Sequence, residues 1–228
     1  MERRLKVFGK EIVFKLESEA DQSVFEEIFV DRDYRLLDPV IQKAGGLIID
    51  AGAHIGCFSV YAAIQNSKVK ILAYEPEERN FALLKENLRA NGCRNVLCKN
   101  LAIGKSDGIR ELFLNEDSHN HSFFGEGAAK KVNCTTLWKI LNKVGVCDLV
   151  KMDVEGAEFE ILANLDEDVF GKVRNFFVEY HEYGEGMKRE KISEKLKGHG
   201  YRVQVFPSSY DERMGFVIAL SENESETD

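Results

Sequence analysis

The sequence predicts an α/β fold built on one seven-stranded sheet, and three observations predict it. From Gly45 onward short apolar runs alternate with amphipathic segments as strand, helix, strand, helix, the order that gives parallel strands covered on both faces. The run LIID is apolar without alternation, as a strand buried on both faces must be. The last two runs, YRVQVF and MGFVIAL, are separated only by a short turn-rich loop, so they form a closing antiparallel pair.

The elements follow in order. Residues 5–16 read as two alternating strands, LKVF and EIVFKL, joined at Gly9-Lys10, a pair compatible with a tight hairpin turn. After them, ADQSVFEEIFVDRDY sets Val24, Phe25, Ile28 and Phe29 at helical spacing behind Asp21, the expected cap. Hairpin and helix make a small N-terminal layer over residues 1–44. The sheet strands are expected at 47–50, 69–75, 95–103, 148–153, 173–181, 201–206 and 214–220. The clearest helix runs from Glu78 to Asn91, with Phe81, Leu84 and Leu88 on one face and Gly92 as its stop. Between the third and fourth strands lies an excursion: RELFL, the polar NEDSHNHSFFGEGAAKK, then VNCTTLWKIL. A long aperiodic segment inside a compact domain suits a functional loop. The acidic tail SENESETD, residues 221–228, has no apolar side chain and is expected to be disordered, which leaves 45–220 as the main domain.

Composition narrows the function. At 228 residues, 44% apolar and 31% charged, the chain suits a single soluble α/β domain, and no run approaches a membrane span. A net charge of -8 argues against general nucleic-acid binding, which needs a basic face. The five cysteines include no C-x-x-C pair, so they read as reduced thiols. The start MERRLKVFGKEIVF lacks a continuous apolar signal segment, and the expected location is cytoplasmic.

The stretch LIIDAGAHIG, residues 47–56, joins a buried strand to two spaced glycines behind an acid. Glycines let backbone approach a ligand, and a nucleotide-like cofactor is the first suspect. A dinucleotide frame G-x-G-x-x-G starting at Gly52 would need glycines where His54 and Cys57 stand. That disfavours an NAD-linked oxidoreductase, the main rival reading beside a non-catalytic binding protein. What remains, Asp50-x-Gly52-x-x-x-Gly56, resembles the first motif of class I S-adenosylmethionine-dependent methyltransferases. Twenty-five residues on, Glu75 ends the second strand in AYEP, where a carboxylate can accept both ribose hydroxyls and Pro76 shapes the next turn.

Taken in order, IIDAGAHIG, AYEP, LAIGKSDG and DLVKMDVEGAE resemble the FkbM family of methyltransferases over about residues 20–182. The resemblance implies a Rossmann-like class I methyltransferase fold, S-adenosylmethionine as cofactor, and O-methylation of a sugar or other small-molecule hydroxyl. It places Asp50 near the cofactor ammonium, Gly52, Ala53, His54 and Gly56 along the turn, and Asn100, Leu101 and Ala102 beside adenine.

Methyl transfer to an alcohol needs alignment and a group that takes the hydroxyl proton. Four candidates stand at adjacent strand ends: Asp153 and Glu155, then Glu179 and His181 in FFVEYHEYGEG. Glu179 or His181 is the expected base and Asp153 an orienting or cofactor-side group. Asp153, Glu179 and His181 would also suit magnesium or manganese. Metal-dependent O-methyltransferases add an Asp-Asn pair that this segment lacks, so no metal is assigned. The segment NEDSHNHSFF offers Ser122 and Phe123 as acceptor contacts, and its histidines 119 and 121 lack a convincing metal spacing.

Overall fold

The computed structural model describes residues 1–113, 129–184, 186–209 and 211–221. Ser122 and Phe123 lie outside the described residues, as do positions 222–228 of the expected tail; Ser221 ends the last strand.

The chain opens with the hairpin β1 (Glu2–Val7) and β2 (Lys10–Lys15). Its turn is Phe8-Gly9, one residue earlier than the sequence suggests, because Val7 pairs with Lys10. Both turn residues have positive φ, +48 and +76°, the requirement of the two-residue turn that matches strand twist. Helix α1 (Glu19–Glu26) is capped by Ser18, not Asp21. Asp21 is the third helical residue and accepts from the Ser18 backbone N–H at 3.0 Å while donating its own N–H to Ser18 Oγ, a reciprocal capping box. The helix does not run on as the apolar spacing suggests. It widens into a π turn at Glu27–Asp31, breaks at left-handed Arg32, and resumes as a 3-10 turn at Asp33–Leu37 and as α2 (Asp38–Lys43).

The core unit alternates β3 (Leu47–Ala51), α3 (Cys57–Gln65), β4 (Lys70–Tyr74), α4 (Glu78–Ala90) and β5 (Val96–Lys99). A side sheet follows from β6 (Ala102–Ile103), β7 (Gly108–Phe113) and β8 (Ala129–Thr135), in order β6-β8-β7. Then come α5 (Leu137–Val144), β9 (Leu149–Met152), α6 (Ala157–Ala163), α7 (Glu167–Phe170), β10 (Asn175–His181), α8 (Arg189–Gly198), β11 (Tyr201–Pro207) and β12 (Met214–Ser221). The main sheet has seven strands in the order β11-β12-β10-β9-β3-β4-β5. Neighbours from β10 to β5 run parallel, and β12 is antiparallel to both β10 and β11. The expected strand 95–103 is therefore two strands in two sheets. Asn100 makes the break: its amide donates to the Glu75 and Pro76 carbonyls, both at 2.9 Å, and so bends the chain away from the ladder.

Apolar groups cover both faces of the sheet. Ile48, Ile71 and Phe177 pack toward α3 and the N-terminal layer, while Ile49, Val150 and Phe176 pack toward the α5, α6 and α8 side. The hairpin is fastened to α4 by two asparagines: Asn87 and Asn91 accept the Lys15 and Val13 backbone N–H groups at 2.8 and 2.9 Å. Among the described residues no helix is long and apolar enough to cross a membrane. Ile49, fully buried in β3, tests the core: Ile49→Ala should cost about 2–5 kcal/mol in urea unfolding, and a loss below about 1 kcal/mol would contradict this packing.

Candidate functional site

The carboxyl ends of β3, β4, β9 and β10 face one cavity of about 280 Å³, on the scale of small-molecule sites. Its floor is the turn after β3. The Gly52 and Ala53 N–H groups both bond the Tyr74 carbonyl, at 3.1 and 2.9 Å. Gly52 has φ +76°, and a Cβ there would stand 1.7 Å from the Asp153 carbonyl oxygen. The space left by this missing side chain is thus taken by the neighbouring strand end. Gly56 starts α3 with φ +94°, and a Cβ would meet Leu84 of α4 at 2.6 Å. It packs helix against helix and does not line the cavity.

Glu75, buried at the end of β4, ties two loops together. Its Oε2 accepts the His54 N–H at 2.8 Å and its Oε1 the Glu77 N–H at 2.9 Å. Burial pushes its carboxyl up to about 7 against these hydrogen bonds. Ala53, His54, Pro76 and Ala102 line the same half of the cavity, with Ile103 beside them. Asn100 and Leu101 do not line it, and the Asn100 amide is spent on the turn described above. Asp50 is also displaced from its expected role: it is fully buried beneath the turn and does not reach the cavity.

What Asp50 does reach is Lys151 of β9, a residue that the sequence reading missed. Lys151 is 3% exposed. Its Nζ donates to the Gly52 carbonyl at 2.9 Å and lies 3.3 Å from Asp153 Oδ2 and 3.5 Å from Asp50 Oδ1. The other Asp50 oxygen accepts from Ser59 Oγ at 2.6 Å. Burial opposes the lysine charge, but Asp153 and Asp50 overcome it and raise its pKa. The signal was present in DLVKMD, where a lysine inside a buried strand demands anionic partners.

The second half of the cavity gathers the catalytic candidates. Asp153, Glu155, Glu179 and His181 all line it. Glu155 has φ +52°, a left-handed conformation disfavoured for a glutamate by roughly 1–3 kcal/mol, and accepts the Tyr183 hydroxyl at 2.8 Å. His181 is 1% exposed, with Nδ1 3.3 Å from Glu158 Oε1 and Nε2 3.6 Å from Glu155 Oε2 and 4.0 Å from Glu179 Oε1. Burial pushes the imidazole down, but Glu155, Glu158 and Glu179 hold its pKa well above the ordinary value. Glu179 accepts the Tyr34 hydroxyl at 3.1 Å. Desolvation, then Asp153 and Glu27, raise its pKa well above the carboxylate range. Burial likewise pushes Glu155 up to about 8.

Two further lining residues, Glu27 and Tyr34, come from the N-terminal layer. Desolvation and then Asp153 push Glu27 up to about 7. Neither position carries a local sequence signal, because only the packing of the layer over the strand ends brings them here.

The description "Methyltransferase FkbM domain" belongs to the family model that matches residues 50–203. The chain is 25% identical over 226 residues to the AMB antimetabolite synthetase AmbE of Pseudomonas aeruginosa; the match covers 80% of this chain and 11% of that protein, so the chain spans about a tenth of AmbE. It is 26% identical over 220 residues to the 31-O-demethyl-FK506 methyltransferase FkbM of Streptomyces tacrolimicus, covering 80% of this chain and 82% of that one. Two crystal structures share the fold. Methyltransferase FkbM from Methylobacillus flagellatus has a TM-score of 0.52 at 15% identity, over 75% of this chain and 42% of that one. The N-terminal domain of EvdMO1 with SAH bound also has a TM-score of 0.52, at 12% identity, over 84% and 80% of the two chains.

The site makes two testable statements. Replacing Lys151 with methionine leaves Asp50 and Asp153 without their buried counter-charge, and should cost about 3–5 kcal/mol in chemical denaturation; a neutral effect would contradict the assigned triad. Glu75 holds its proton up to about pH 7 in the folded chain against 4.5 in the ordinary carboxyl range. Its contribution to stability is therefore complete below about 4.5 and lost as pH rises through about 7. The stability of Glu75→Gln relative to the parent should shift in the variant's favour across that interval, measured by urea unfolding at a series of pH values; a constant difference would refute the assignment.

Proposed function

The chain belongs to the FkbM family of methyltransferases, and we propose that it transfers a methyl group from its cofactor, S-adenosylmethionine, to a hydroxyl of a sugar, glycan or other small molecule. The observation that carries this reading is the convergence of a glycine turn, a buried strand-end glutamate and a carboxylate–histidine cluster on one cavity.

The residues present fit the cofactor. The turn 52–54 is locked from below by Tyr74 and Asp153 and turns one backbone face to the cavity. Glu75 stands at the strand end where a carboxylate would hold the ribose hydroxyls, and Ala102 and Ile103 supply an apolar wall for the adenine ring. Asp50 acts at one remove, through Lys151. When bound, the cofactor supplies a methyl carbon that accepts an oxygen lone pair while the carbon–sulfur bond breaks and its electron pair stays on sulfur.

The chain's own part is positioning and proton removal. Sheet order sets the cluster at the ends of β9 and β10 on the opposite side of the turn from Glu75, so the acceptor would lie in the part of the cavity lined by Glu27, Tyr34 and Met214. Our candidates to take the hydroxyl proton are Glu155 and Glu179 in their ionised forms, each accepting a tyrosine O–H; His181, whose proton is held by the surrounding glutamates, is set aside as the base. The relative from Streptomyces, whose name specifies a 31-O-demethyl substrate, supports an oxygen acceptor. Nothing in the site favours the dinucleotide alternative, since His54 and Cys57 occupy the positions where its glycines would stand.

Calorimetric titration with S-adenosylhomocysteine should show saturable binding, weakened roughly tenfold or more by Glu75→Ala. Incubation of the chain with methyl-labelled cofactor and a panel of sugars, glycans and alcohols, read by mass spectrometry, should give an O-methylated product. No heat at millimolar S-adenosylhomocysteine from a folded sample would end this reading.

A further inference from the structure

We propose that Asp153, Glu179 and His181 form a site for one divalent cation of the magnesium or manganese type. Each offers one donor atom from the ends of neighbouring strands, and the three donors lie within 4.8 Å of one another. Modest side-chain adjustment brings such a set around one ion, and two carboxylate oxygens with one imidazole nitrogen is a donor set that manganese and magnesium accept.

The imidazole supplies an observation independent of the acidic cluster. His181 Nε2 is buried and has no hydrogen-bond partner, its nearest carboxylate oxygens being 3.6 and 4.0 Å away. The other nitrogen is fixed by Glu158, whose Oε1 also accepts the Val154 N–H at 2.9 Å. A histidine held by a carboxylate through one nitrogen presents the other as a ligand in a set orientation. Glu179 shows the same division of labour: Oε2 receives the Tyr34 hydroxyl, and Oε1 is the atom that faces His181. Asp153 touches Lys151 through Oδ2. The three residues border the cavity, so water or an acceptor oxygen completes the shell.

The cation deepens the proposed methyl transfer and rests on that reading. Held by Asp153, Glu179 and His181, it would draw electron density from the acceptor oxygen and ease loss of its proton to ionised Glu155, the cluster carboxylate outside the ligand set. The oxygen–carbon bond then forms as the carbon–sulfur bond breaks, with the electron pair leaving on sulfur.

The test uses the full chain stripped with EDTA and titrated with manganese chloride, by calorimetry and by loss of the free-ion electron paramagnetic resonance signal. S-adenosylhomocysteine is titrated into the same preparation. One manganese should bind per chain, magnesium should compete, and the melting temperature should rise with manganese. Glu179→Gln and His181→Asn should each weaken manganese binding roughly tenfold or more, with Glu179→Gln leaving S-adenosylhomocysteine affinity within roughly threefold. Should a variant fail to fold, the manganese-dependent melting shift of the parent carries the test. Absence of saturable manganese binding in a sample that binds S-adenosylhomocysteine overturns the cation site alone. So does manganese binding that survives both substitutions, or a response to a simple amine with none to manganese. A folded sample that binds neither ligand overturns the methyltransferase reading as well.

Discussion

A single ammonium group holds the centre of this molecule together. Lys151 sits where a parallel sheet normally tolerates only apolar side chains, and its charge is sustained by Asp50 on one side, Asp153 on the other and the Gly52 carbonyl above. Those three groups belong to the two central strand ends and the glycine turn. One buried cation therefore fixes the relative height of β3 and β9, the conformation of the turn, and the direction of Asp153. Desolvating a charge is expensive, and the arrangement persists because the ammonium donates to the Gly52 carbonyl and to Asp153 and is paired with Asp50 at 3.5 Å. These contacts tie the floor of the cavity to the two central strands, and alignment of reacting atoms depends on such positioning.

Around that centre the negative charge accumulates toward β10. Glu27, Asp153, Glu155 and Glu179 stand close enough that each raises the proton affinity of a neighbour, while His181 is ringed by three glutamates. Such a concentration of acid is unfavourable to folding. It is gathered at the strand ends that carry Asp153, Glu155, Glu179 and His181, where perturbed acids of this kind accompany functional sites.

Much of this was legible in the sequence, and the parts that were not share a physical cause. Period and turn chemistry placed the seven strands, the antiparallel closure and the strand-end position of Glu75, Asp153, Glu155, Glu179 and His181, because these depend on local patterning along one segment. Asp50 was placed near the cofactor by the family resemblance; in the fold it accepts from Ser59 and pairs with a lysine about a hundred residues away, itself disguised within an apolar run. The split of segment 95–103 was hidden for a similar reason, because the Asn100 amide acts on carbonyls of the preceding strand end. Glu27 and Tyr34 were invisible because nothing within α1 or the turns after it announces that the N-terminal layer folds over the sheet. Ser122 and Phe123 lie outside the described residues.

The widened turn at Glu27–Asp31 has a consequence for the layer that carries it. A π turn accommodates one residue more than a regular turn, closed here by the Arg32 N–H reaching back to the Glu27 carbonyl. Loss of one residue here would close the wide turn to a regular one and rotate α1 by ~100° about the helix axis, moving Ser23 and Val24, which line the cavity. The same rotation would pull Phe25 and Phe29 out of the core they share with β3 and α3, and Asp21 away from His54 in the glycine turn. The wide turn is thus part of how the N-terminal layer seats on the sheet, and its length sets which side chains that layer presents to the strand ends.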